Sequence, residues 1–75
     1  MSNDMMGRVS AERIFKSHFP KATIERHRTT GHETYYLVRE ERGAYMPSGD
    51  GKTKSEAWRD ACDRLNLTAL KTGGE

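Results

Sequence analysis

At 75 residues, with one cysteine and a formal net charge of +2, the chain has material for one thin hydrophobic core and no internal disulfide. That size leaves no room for a deep substrate cavity with its supporting shell, and the Cys and His spacings match no structural zinc motif, so no cofactor or metal is expected. The charge is uneven: residues 8–28 carry six basic against two acidic side chains and residues 29–75 seven against eight, which permits a basic face without requiring one.

The polar, Met-rich stretch 1–8 and the glycine-paired stretch 71–75 read as disordered tails around a single domain over 9–70. With no apolar leader in MSNDMMGRV and no apolar run of the roughly 18 residues a membrane span needs, the chain reads as soluble and cytoplasmic. Ser10 is placed to cap a first helix near 10–19, where Ala11, Ile14, Phe15, His18 and Phe19 repeat at helical spacing. Pro20 stops it, because the residue before proline is pushed out of the helical region. ATIERHRT then alternates as a strand, with Ala22, Ile24, Arg26 and Arg28 on one side and Thr23, Glu25 and His27 on the other. A turn around Gly31 leads into ETYYLVRE, the richest β-former in the chain, with Tyr36 and Val38 on one face and Tyr35 and Leu37 on the other. A second turn at Gly43 returns the chain as a third strand over AYMP, Ala44–Pro47.

The last element is a helix over about 53–66. Thr53 caps it, Glu56 stands at capping-box spacing, and Ala57, Trp58, Ala61, Cys62 and Leu65 form its apolar stripe, with Leu67 and Leu70 closing over the core edge. The fold class is therefore α+β in the order α-β-β-β-α, with two helices on one face of a three-stranded antiparallel sheet. The expected core is Ile14, Phe15, Phe19, Ile24, Val38, Trp58, Ala61 and Leu65.

The stretch GDGKTKSEAW, Gly49–Trp58, carries the chemistry. A glycine-rich approach to a helix start offers free amides and the positive end of the helix dipole to a phosphate, and Lys52 and Lys54 add charge. The same residues are equally explained as a turn and a cap with no ligand. The stretch is not a P-loop, since its glycines are spaced G-x-G and no Gly-Lys-Ser/Thr follows a four-residue gap.

Gly49, Gly51, Thr53, Lys54, Ala57, Ala61 and Leu65 fall in the register G-x-G-x-S-K-K-x-A-K followed by an apolar stripe, and in this the chain resembles the double-stranded-RNA-binding domain. Gly31 and His32 are a shortened echo of the Gly-Pro-x-His signal in that family's first inter-strand loop. The resemblance spans roughly residues 10–67 in element order and rests on one ten-residue segment in sequence. It implies lysines directed at phosphates across the RNA major groove. Ser55 replaces the second lysine of the family's pair and Trp58 the later one, leaving Lys54 with Lys52 and Arg59 as substitutes.

Two functions are expected from these features. The first is a small non-catalytic nucleic-acid-binding domain: Lys52, Lys54 and Arg59 contact duplex RNA phosphates, while His32 and the exposed side of the first helix, Arg13 and Lys16, approach a groove. The second is a protein-interaction module on the same fold that has lost RNA binding, resembling small prophage-encoded accessory proteins, which uses the sheet face of Tyr35, Leu37 and Tyr45 or the Gly49–Lys54 rim. Those aromatics also suit stacking of single-stranded bases. Cys62, on the apolar stripe, reads as a core residue rather than a nucleophile.

Overall fold

A computed structural model describes residues 9–71, and the expected tails at 1–8 and 71–75, Lys71 excepted, lie outside the described residues. The first helix, α1, spans Ala11–His18. Ser10 Oγ accepts the Arg13 amide at 3.2 Å, occupying one of the amides that lack an intrahelical partner. Phe19 ends the helix in a non-helical conformation and still donates its amide to Phe15 O at 2.8 Å, after which Pro20 diverts the chain.

Three strands follow, β1 at Thr23–Arg28, β2 at Thr34–Arg39 and β3 at Gly49–Gly51, and a second helix, α2, at Lys54–Leu65 closes the order α-β-β-β-α. The sheet is antiparallel throughout, in the order β1-β2-β3. Ile24 stands opposite Val38 and Arg26 opposite Tyr36; on the other side Tyr36 meets Gly51 and Val38 meets Gly49. The alternation read from the sequence therefore holds: Val38 is fully buried, and Ala22, Ile24 and Tyr36 pack against the core beside it.

The third strand is not where the sequence places it. Ala44–Pro47 lie in the loop between β2 and β3, where Gly43 takes the left-handed backbone (φ 84°) and Arg39 Nη1 donates to Ala44 O at 3.0 Å. Pairing resumes only when Ser48 donates its amide to Val38 O. Strand propensity favours Ala-Tyr-Met over Gly-Asp-Gly, so tertiary contact with α2 selects this strand against local preference.

The core consists of Phe15, Val38, Ala57, Trp58, Ala61 and Cys62, with Ile14, Phe19 and Leu67 packed at its margin. Phe15 lies 4.9 Å from Phe19 and 5.8 Å from Trp58 between ring centroids, so α1 and α2 meet through three aromatic side chains. Burial raises the Cys62 thiol pKa, the Asp63 charge adds to the rise, and the thiol donates to Ala11 O across the two helices.

Leu65, expected in the core, is instead 39% exposed. Asn66 adopts the left-handed conformation (φ 58°) directly after it. Asn66 N reaches Asp63 O at 3.2 Å and Leu67 N reaches Cys62 O at 2.8 Å, the paired bonds of a Schellman motif. That reversal folds Leu67 back onto the core and leaves Leu65 on the outside. Leu70 remains 37% exposed, beside α1. Lys71, grouped with the tail on composition, donates its amide to Ser17 Oγ at 2.8 Å, and Ala69 O lies 3.0 Å from His18 Nε2, so this segment runs along the end of α1.

Candidate nucleic-acid interface

Gly49 and Gly51 are the first residues to explain in the Gly49–Trp58 stretch. Neither has the left-handed backbone that would demand glycine for a turn. Both face α2 from β3. A Cβ on Gly49 would collide with the backbone of Ala61, and one on Gly51 would lie 2.6 Å from Ala57 N. Two strand residues advance about 6.8 Å and four helix residues about 6 Å, so a G-x-G strand and an A-x-x-x-A helix face can stay in step. The glycine spacing thus serves close packing of strand on helix.

The start of α2 is capped as its residue types suggest, with one difference. Thr53 Oγ1 accepts the Glu56 amide at 3.1 Å, but Glu56 Oε1 reaches past Thr53 to the Lys52 amide, also at 3.1 Å. The amides of Lys54 and Ser55 belong to the first turn, have no intrahelical acceptor and stand beside two exposed lysines. Thr53→Ala is expected to lower stability by about 0.5–2 kcal/mol. A thermal or denaturant melt without any ligand checks it, and an unchanged midpoint would mean that the Thr53 hydroxyl does not hold the helix start.

Sheet register brings the first hairpin to the same end of the molecule. Gly51, the last residue of β3, pairs with Tyr36, and β2 continues beyond it through Tyr35 and Thr34 into the turn. The hairpin thus projects about 7 Å beyond the end of β3, past the point where the chain enters α2. His32 sits in this turn, exposed and itself in the left-handed conformation (φ 70°). Thr29 organises the turn, its Oγ1 accepting the amides of Gly31 and Glu33.

Lys54 connects two concave surfaces. With Ser10, Ala11, Glu12, Ser55 and Trp58 it lines a cavity of about 220 Å³ between the starts of the two helices. On its other side it shares a groove of about 320 Å³ with Ile24, Arg26 and Tyr36. Among the described residues Lys52, Lys54, Arg59, Arg13 and Arg26 form no ion pair. Lys16 is engaged already: its ammonium is 2.8 Å from Glu12 and 5.5 Å from the centre of the Trp58 ring. Arg13 and Lys16 also line an open groove along α1 with Glu12, Ser17, Leu70 and Lys71.

Lys52, Lys54 and His32 therefore share one end of the molecule, Arg59 follows on the exposed surface of α2, and Arg13 and Lys16 lie along α1. Arg26 is the basic residue that the sequence reading passed over. Its signal was the alternation of β1: Arg26 continues the Ala22–Ile24 face, so it stands on the helix side of the sheet, where it reaches the surface beside Lys54.

The alternative face is divided. Tyr35 and Leu37 stand on the outer side of the sheet, where Tyr35 stacks on His27 with centroids 5.4 Å apart and planes 19° from parallel. Glu25 bridges His27 and Arg39 there at 3.0 Å each. The hydrogen bond from His27, and then that from Arg39, holds its carboxyl below the usual range. Tyr45 does not join them, because the segment carrying it is loop rather than strand; it is 94% exposed, next to Met46 at 66%.

No protein-family model, curated protein or solved structure matches the chain. Among the described residues, no helix is long and apolar enough to cross a membrane.

Proposed function

We propose that this chain is a small non-catalytic nucleic-acid-binding domain of the double-stranded-RNA-binding type, acting in the cytoplasm and contacting duplex RNA through the start of α2. The observation that carries the reading is the position of Lys54: without an ion-pair partner among the described residues, beside open first-turn amides, and at the end of the molecule from which the His32 hairpin projects. The α-β-β-β-α order and the G-x-G-x-T-K register support it. Lys52, Lys54 and Arg59 take phosphates, while His32 and the α1 residues Arg13 and Lys16 meet a groove. With two of the family's lysines replaced by Ser55 and Trp58, both the binding and its salt dependence are weaker than the full lysine set would give.

Lys54→Ala is expected to weaken binding to all duplex RNA sequences alike and to reduce the slope of log affinity against log salt by about one, since a phosphate contact carries no base information. Titrating labelled duplex RNA, duplex DNA and single-stranded RNA at two salt concentrations, with amide shifts mapped to residues, measures both effects. Shifts at His32 and Gly49–Arg59 on duplex RNA support the reading.

A protein-interaction module is the second reading, favoured by the exposed Tyr45 and Met46 of the β2–β3 loop. Absence of binding to any nucleic acid at low salt would make it the better one.

A further inference from the structure

The groove between β1, β2 and the start of α2 has a makeup that a helical duplex does not require. Its floor is Ile24 and Tyr36, neighbours on the helix-facing side of the sheet, and its rims are Arg26 and Lys54. Across the sheet, Arg26, Tyr36 and Gly51 form one row; the missing side chain at Gly51 lets α2 approach and brings Lys54 over the aromatic ring's side of the sheet. Neither cation has an ion-pair partner among the described residues, and no carboxylate lines the groove. At about 320 Å³ it lies at the small end of small-molecule sites. An intact duplex is too wide to enter it. A single nucleotide suits it, with planar base against aromatic and aliphatic surface and phosphate against two cations.

We infer that the groove lined by Ile24, Arg26, Tyr36 and Lys54 binds one nucleoside 5′-phosphate unit, its base on Tyr36 and Ile24 and its phosphate between Arg26 and Lys54. The unit is either the 5′-terminal nucleotide of an RNA strand or a free mononucleotide. The first case rests on the duplex-RNA reading above; the second does not. Lys54 is common to both sites, whereas Arg26 on β1 lies outside the α2 start and the α1 surface assigned to duplex contact, so an Arg26 variant tests the groove separately.

The test uses the full chain and three probes: an RNA duplex whose 5′ ends carry one unpaired, 5′-phosphorylated nucleotide, the same duplex with 5′-hydroxyls, and adenosine 5′-monophosphate alone. The phosphorylated duplex is expected to bind several-fold more tightly than the hydroxyl form, and Arg26→Ala to bring that ratio close to one. Arg26 is exposed, and a melt confirms that the variant is folded. Adenosine monophosphate is expected to shift the amides of Ile24, Arg26, Tyr36 and Lys54. If those shifts occur while neither duplex binds, the groove is a mononucleotide site and the duplex reading falls alone. If both duplexes bind equally and the mononucleotide leaves the four residues unshifted, the groove proposal is overturned and the duplex reading stands.

Discussion

Trp58→Ala is expected to lower folding stability by about 3–5 kcal/mol, the usual cost of deleting a packed aromatic side chain and leaving its cavity. Trp58 is 4% exposed, meets the Phe15 ring and lies under the Lys16 ammonium, so its loss separates α1 from α2 as well as emptying the core. A domain of 75 residues has a total stability of only about 4–11 kcal/mol, so the substitution removes a large share of it. Denaturant melts followed by far-UV circular dichroism would show this as an early midpoint. A loss of less than about 1 kcal/mol would mean that Trp58 is not the joint between the helices.

Gly49→Ala is the second large effect. The added methyl has no space, since it meets the backbone of Ala61 and not the mobile end of a side chain, and relief requires β3 and α2 to move apart. A cost of about 1–3 kcal/mol or more is expected, typical of overpacking a core. Gly31→Ala is the matched control: the nearest atom to its new Cβ would be Thr29 Oγ1 at 3.7 Å, ordinary contact, and its melt should scarcely move. Both melts are made without RNA, so a loss confined to Gly49 assigns the glycine spacing to packing. If Gly49→Ala were as stable as the parent and lost only RNA binding, the glycine would serve the ligand instead.

The elements that were legible in the sequence are those whose signals are local. Ser10 and Pro20 bound α1, the Thr53–Glu56 spacing marks the start of α2, and the alternation of β1 and β2 places Ile24, Tyr36 and Val38 on the helix side. The third strand was not legible, because Gly-Asp-Gly has almost no strand propensity and is held by its contact with Ala57 and Ala61. Leu65 has the right helical spacing for the core, and what removes it is the reversal at Asn66, a backbone event with no apolar period to announce it. Among the candidate site residues, Lys52, Lys54 and His32 come to one end of the molecule because of register, which sequence order alone does not supply. Arg26 was overlooked because a charged residue on a strand reads as solvated surface until the neighbouring helix start is in place.

The fit of β3 on α2 also bears on how the molecule comes apart. The β1–β2 hairpin is joined by a five-residue turn and can assemble from contacts close in sequence. β3 has only three residues and no side chain at two of them, so nothing but the helix gives it a reason to pair. Strand and helix therefore form and dissolve as one cooperative unit. In native-state hydrogen exchange, the Gly49–Gly51 amides engaged in the sheet should open together with those in the middle of α2, at a common free energy. A short strand at a sheet edge would ordinarily fray first; here its lifetime is set by the helix lying across it.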